Sequence, residues 1–319
     1  MRLKLVPRNT SWNFFLRSKL WIGISIILVV LSLISFFVQS LNFGIDFRGG
    51  TSIRTESSEP VNVAAYRNAL SSLDLGDITI SEVFDPSFED NQNVAMIRIQ
   101  AQPGQEAATS ILVENSLQKL KEVNEDIKFV SVESVGPKVS GELIRTAIIA
   151  VVLAISAVLF YIWIRFEWQF AVGAISALIH DVILTIGVFS LLQIKFDLAI
   201  IAAILTIVGY SLNDTVVVFD RVRENLRKFK KRSLIEVMNL SINETMSRTV
   251  MTSVTTLLAL ISLFVLGGDV IRGFVFAMIW GVVVGTYSSI FIASAILLWT
   301  GVKRDWSRSN AEAGTQVPQ

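Results

Sequence analysis

Long apolar runs at residues 20–38, 143–164, 170–192, 198–219, 250–266 and 274–298 divide the chain. Each is close to the ~20 residues that carry a helix across a hydrocarbon core, so the pattern predicts six spanning helices. Between the first run and the second the pattern changes. Residues 44–55 carry paired glycines followed by β-branched alternation and predict a strand. Residues 61–73 place Val63, Ala64, Leu70 and Leu73 at helical spacing. Strands are expected at 78–84 and 94–99, separated by a turn rich in Asp, Pro and Asn. A second helix is expected from about Gln105 to Val123, with Ile111, Leu112, Leu117 and Leu120 on its apolar side. A last strand at 127–135 stops at Gly136-Pro137. The order β-α-β-β-α-β is the ferredoxin-like plan, which hosts many functions and names none. The expected fold class is a polytopic α-helical membrane protein, with an α+β ferredoxin-like domain at residues 39–142 inserted between helices 1 and 2.

Charge gives this pattern an orientation. Only 17% of the 319 residues are charged, against about a quarter in soluble domains. Residues 40–140 hold 15 acidic and 8 basic side chains, while the rest of the chain holds 12 acidic and 20 basic. Arg2, Lys4, Arg8, Arg17 and Lys19 precede the first run, which is long for a signal peptide and reads as an uncleaved anchor with residues 1–19 inside. Threading the runs from there puts the basic segment 220–249 and the tail 299–319 in the cytoplasm, as the positive-inside rule requires. The acidic insert then lies outside the cytoplasm. The absence of cysteine excludes disulfides and thiolate metal sites, and the single histidine, His180, excludes His-rich metal or triad chemistry. No phosphate-binding loop, hydrolase triad, cofactor fingerprint or base-stacking motif is present, so the chain reads as neither an enzyme nor a nucleic-acid binder.

A charge at mid-bilayer costs roughly 2.5–3.5 kcal/mol, so intramembrane polar residues point to function. Asp214 is the clearest case. Thr206, Tyr210, Asn213 and Asp214 recur at helical spacing in the fourth span and form a polar stripe that must face helices or a water cavity. Asp214 lies roughly 9 Å below the end of its apolar run. Arg248, at the start of the fifth span, is its available partner; it can reach inward or snorkel to the headgroups. The bland reading is an ion pair that only holds the bundle together. His180 and Asp181 come next. Adjacent helical positions point about 100° apart, which predicts separate partners one turn away, Ser176 for His180 and Thr185 for Asp181. Asp269 falls in an outside turn. A carboxylate that meets protons from opposite sides in turn is the minimal design of a proton-coupled machine.

Several ordered motifs then carry a family resemblance. They are Phe43-Gly-Ile-Asp-Phe-Arg-Gly-Gly-Thr, Val135-Gly-Pro-Lys-Val-Ser-Gly-Glu-Leu and His180-Asp-Val, followed by Gly209-Tyr-Ser-Leu-Asn-Asp-Thr-Val-Val-Val-Phe-Asp-Arg-Val-Arg-Glu-Asn. Asn243-Glu-Thr-Met-Ser-Arg-Thr and Gly281-Val-Val-Val-Gly-Thr-Tyr-Ser-Ser-Ile-Phe complete the set. Over nearly its whole length the chain resembles the SecD/SecF family of the bacterial Sec translocation apparatus, on its SecF side, within the resistance-nodulation-division superfamily. The resemblance implies SecD as a second six-helix half, association with the SecYEG channel and often YajC, and a role after the ATPase SecA. It implies use of the proton-motive force to draw a translocating preprotein outward, with no cofactor and no metal. It also places Asp214 and Arg248 in a proton pathway, with Asp269 as a further carboxylate. Two other readings stand beside it: a small-molecule exporter of the same superfamily, which usually carries two halves in one chain, and an assembly factor whose buried charges only join subunits.

Overall fold

The computed structural model describes residues 10–73, 75–83, 85, 88–89, 91–101 and 110–302, without the side chains of Ser110, Pro137 and Asp269. Arg2, Lys4 and Arg8, the expected helix start at Gln105, and the tail residues Lys303, Arg304 and Arg308 lie outside the described residues. The chain opens with α1 (Ser18–Gln39), then β1 (Asn42–Phe43), the single turn α2 (Ile45–Arg48) and β2 (Gly50–Ser57). The insert continues through α3 (Val63–Leu70), β3 (Ile78–Val83), β4 (Asn93–Gln100), α4 (Ser110–Lys121) and β5 (Lys128–Val135). Next come α5 (Pro137–Arg165), α6 (Trp168–Leu192), β6 (Lys195–Phe196), α7 (Leu198–Lys228) and α8 (Leu234–Leu266). The last long helix runs from α9 (Asp269–Ser288) through a π-turn (Ser289–Ala293) into α10 (Ser294–Thr300).

Among the described residues, six helices are long and apolar enough to cross a membrane: α1, α5, α6, α7, α8 and the α9–α10 rod. They are unequal in burial. The α6, α7 and α9 helices form the centre, whereas α1, α5 and α8 turn large apolar side chains such as Leu31, Leu153 and Leu258 outward. Small residues let the central helices approach closely, as expected where lipid removes the hydrophobic drive between helices. A Cβ on Gly285 of α9 would lie 3.0 Å from Ser211 of α7, and one on Gly173 of α6 would lie 2.8 Å from the Ala293 carbonyl oxygen.

Residues 220–249, expected as a basic loop, are helical apart from 229–233. The charges there mark only a solvated face. Val222, Leu226, Val237, Met238, Ile242 and Met246 repeat at helical spacing on the other face and pack with Phe166 and Phe170. A capping box between Ser233 and Glu236 starts α8. Glu244 then ties the two helices, accepting from Arg221 Nε and Asn225 Nδ2, each at 2.6 Å.

The insert's sheet has strand order β3-β4-β2-β5, with every neighbouring pair antiparallel. Alternation sends Ile53, Ala95 and Ile97 to one face, where Tyr66 and Leu70 of α3 and Leu120 of α4 complete a core. Residues 44–49, expected as the start of a strand, instead leave β1, which pairs with β6, and close into α2. The reason is local chemistry. Gly44 lies so near the α6–α7 connection that a Cβ would come within 2.9 Å of the Lys195 side chain. Asp46 Oδ2 accepts the backbone N–H of Leu198 at 3.2 Å, capping α7 from across the chain. Gly49 and Gly50 take φ of 72° and 134°, and a Cβ on Gly50 would collide with the Ile99 carbonyl oxygen. The parallel pair β1–β6 and the rings of Phe43, Phe47 and Phe196 finish this joint between insert and spans.

Gly50→Ala is expected to destabilise the insert by about 1–3 kcal/mol through enforced positive φ. Hydrogen exchange on the full chain checks this: β2 and β4 amides should lose protection while α7 and α9 keep theirs, and unchanged β2 protection would contradict the assignment.

Candidate functional site in the helix bundle

Among the described residues, two buried carboxylates lie within the spans, and they differ in how they are satisfied. Asp181, on α6, is 0% exposed. Its Oδ2 accepts from Ser211 Oγ of α7 at 2.6 Å and from Ser288 Oγ of α9 at 2.8 Å. Its Oδ1 lies 3.0 Å from Nδ1 of His180, the preceding residue. One carboxylate therefore joins the three central helices. The expected partners are corrected by this geometry. Thr185 Oγ1 donates to the Asp181 backbone carbonyl at 2.7 Å, and Ser176 Oγ donates to Val172 O at 2.8 Å. Although their Cβ vectors diverge, the His180 and Asp181 side chains bend toward each other, which the rule of about 100° per residue does not capture. His180 Nε2 is buried without a hydrogen-bond partner, and its ring lies 6.1 Å from that of Tyr287.

A second layer continues the network. Thr215 Oγ1 and Ser289 Oγ are 2.8 Å apart, and Ser289 Oγ also donates to the carbonyls of Gly285 at 2.8 Å and Ser211 at 3.3 Å. Ser289 opens the π-turn, the widened helix geometry that recurs at functional sites. Ser211, Thr215, Ser288 and Ser289 were not singled out by sequence reasoning. The available signal was the face Gly281, Gly285, Ser288 and Ser289, small residues at helical spacing in an otherwise apolar span.

Asp214, one turn beyond Ser211 on α7, is 4% exposed, and its Oδ2 is buried with no hydrogen-bond partner. An ionised carboxylate in that state bears a desolvation cost that a proton, a water or a cation would relieve. Arg248, on α8, makes no direct ion pair or hydrogen bond with it among the described residues. The polar stripe is split. Thr206 and Asn213 lie on the surface of the isolated chain, Tyr210 is half-buried with an unpartnered hydroxyl, and Asp214 points inward. Arg248 is exposed in the isolated chain. The Asp269 side chain lies outside the described residues; its backbone forms the first residue of α9.

Comparison with known proteins places this arrangement. A family model described as protein export membrane protein SecD/SecF, C-terminal, matches residues 115–303, which include the whole bundle site. A second model, the SecD/SecF GG motif, matches residues 34–61, which include the Gly44–Gly50 joint. The chain belongs to the SecD/SecF family of protein export membrane proteins. The protein translocase subunit SecF of Cereibacter sphaeroides is 59% identical over 99% of this chain and 97% of its own length. That of Vibrio alginolyticus is 42% identical over 95% of this chain and 94% of its own. Among solved structures, SecDF of Thermus thermophilus, described as a translocon-associated membrane protein, matches with a TM-score of 0.81 and 34% identity. The match covers 94% of this chain and 40% of that one, so the SecDF chain is far longer than its SecD/SecF relative here. As family membership and six apolar helices require, this is a multi-pass membrane protein.

The contrast between the carboxylates is measurable. Asp181→Ala strands the buried Ser211 hydroxyl and His180 Nδ1 and should cost about 2 kcal/mol or more. Asp214→Ala removes a group with an unsatisfied oxygen and should cost much less. Thermal unfolding of the two variants in detergent compares them, and equal destabilisation would contradict the division.

Proposed function

We propose that the chain is a SecF-type subunit of the Sec protein translocase that works with SecD to couple the proton-motive force to protein export. The observation that carries this reading is Asp214: a carboxylate within a span, 4% exposed, with an orphaned oxygen. Counting along α7 puts it roughly 24 Å from the helix start at Leu198, inside a hydrocarbon core about 30 Å thick. In this reading Asp214 alternates between ionised and protonated forms. Loss of its charge weakens the attraction to Arg248, and α7 and α8 repack. His180 and Asp181 stand beside this path and hold α6, α7 and α9 in register around it. Asp269 serves as a carboxylate near its outer mouth.

The outward Asn213 supports a second half packing here, because polar groups on a span need a partner other than lipid, whereas Thr206 bonds back to the Ala202 carbonyl at 2.8 Å. SecD is that half. The charge split supports an amino terminus and tail in the cytoplasm and a periplasmic insert, which we read as ferredoxin-like from its strand order. The insert is tethered at both ends to spans, so helix repacking moves it against the emerging polypeptide. SecYEG, with YajC, supplies the channel beside which this happens, and SecA acts upstream on the cytoplasmic face.

Asp214→Asn should leave the complex with SecD assembled yet abolish stimulation of export by a proton gradient in membrane vesicles containing SecYEG and SecA. Normal stimulation in that variant would overturn the reading.

A further inference from the structure

The first turns of α8 are gripped from two sides. On one side Glu244 holds Arg221 and Asn225 of α7, and Ser241 Oγ accepts from Asn225 Nδ2 at 3.0 Å. On the other stand Asn239 and Asn243, one turn apart, and they hold a different segment. At 100° per residue the two pairs centre roughly 150° apart around the helix. The segment they hold is residues 10–16, which lead into α1. Asn243 meets both backbone groups of Trp12: its Oδ1 accepts the N–H at 3.0 Å, and its Nδ2 donates to the carbonyl at 2.9 Å. Asn239 Oδ1 accepts the Phe14 N–H at 2.9 Å, and its Nδ2 donates to Asn13 Oδ1 at 3.2 Å. Thr10 Oγ1 extends the row, donating to the Asn243 carbonyl at 3.4 Å.

Spacing explains why two asparagines suffice. Two residues of extended chain advance about 6.6 Å and four helical residues about 6 Å, so alternate amides of the segment meet successive turns of α8. A primary amide carries a donor and an acceptor side by side, so it reads main chain rather than side chain. The segment's own side chains anchor it elsewhere. Phe14 meets Phe291 edge-on at 6.1 Å, and Phe14 and Phe15 pack against the cluster of Val237, Met238 and Ile242. The buried residues of α8 end at Ser253, and beyond it Leu258, Ile261 and Leu263 turn outward. The helix is therefore anchored by its first half. Arg248 follows Glu244 by four residues and shares the face that Glu244 turns to α7.

We propose that residues 10–16 form a belt that holds the start of α8 against α7, with Asn239 and Asn243 as positioning residues for the coupling site. Without the belt, α8 is free to tilt from α7 and takes Arg248 with it. The positioning role rests on the proton coupling proposed above, whereas the belt itself does not.

The chain has no cysteine, so Thr10→Cys and Ser247→Cys together supply its only thiols. The Asn243 carbonyl that Thr10 meets points along the helix toward Ser247, which is exposed. A short bis-maleimide should link the two sites in the full chain in vesicles. Adding Asn239→Leu and Asn243→Leu should slow linking about tenfold, the factor expected for losing hydrogen bonds of ordinary strength. Amide exchange across residues 239–250 should rise several-fold alongside. With SecD, SecYEG and SecA present, the same variant should lose most of its gradient-stimulated export and regain it once linked, a rescue that a misfolded helix would not show. Phe14→Ala leaves α8 itself unaltered and should reproduce these effects, which covers failure of the asparagine variant to fold. Unchanged linking or unchanged exchange in both variants would overturn the belt. Slower linking with undiminished stimulation would overturn the positioning role. A wild-type chain without any stimulation would sink the proton reading, and linking and exchange would still decide the belt.

Discussion

A polar side chain inside a membrane bundle has no water to fall back on, so its hydrogen bonds must come from neighbouring helices. Asp181 meets that constraint completely. Its carboxylate takes one hydroxyl from α7 and another from α9 while its own helix supplies His180. Loss of Asp181 strands the Ser211 hydroxyl and His180 Nδ1, so one side chain ties the three central helices together. The close approaches at Gly285 and Gly173 belong to the same arrangement, because the serine hydroxyls reach Asp181 only if the backbones pass near one another.

Asp214 is defined by contrast with that anchor. It stands one turn from Ser211 on the same helix, yet one oxygen is left without a donor. A group so placed has more than one way to be satisfied, by a proton, a water or a cation. The bundle thus combines a saturated carboxylate, which fixes geometry, with an unsaturated one, which can change state. At the insert end, the Gly44–Gly50 joint performs the complementary task. It caps α7 with Asp46 and turns the chain directly into β2, so only a few residues separate α7 from the sheet.

How much of this was legible in the sequence depended on the range of the interaction. The six apolar runs and the alternation of strands and helices in the insert are local patterns, and their elements lie close to the expected positions. The one-turn helix at Ile45–Arg48 was not legible, because it arises from a cap on a helix some 150 residues away. The helical character of residues 220–249 was readable from Val222, Leu226, Val237 and Met238 but was masked by their basic neighbours. The site showed the same division. Asp214, Arg248, His180 and Asp181 stood out by charge alone. The partners of Asp181 did not, since Ser211 and Ser288 lie 30 and 107 residues away. Periodicity also could not separate the outward Thr206 and Asn213 from the inward Asp214, which sit on adjoining faces of one helix.

The central claim is that Asp214 is the group that takes up and releases the proton while Asp181 holds the scaffold still. Proton flux under an imposed gradient, measured in vesicles reconstituted with the chain and SecD, tests it most directly. The account predicts flux with the wild-type chain and near-background flux with Asp214→Asn at equal protein incorporation. Undiminished flux through the Asp214→Asn complex would contradict it.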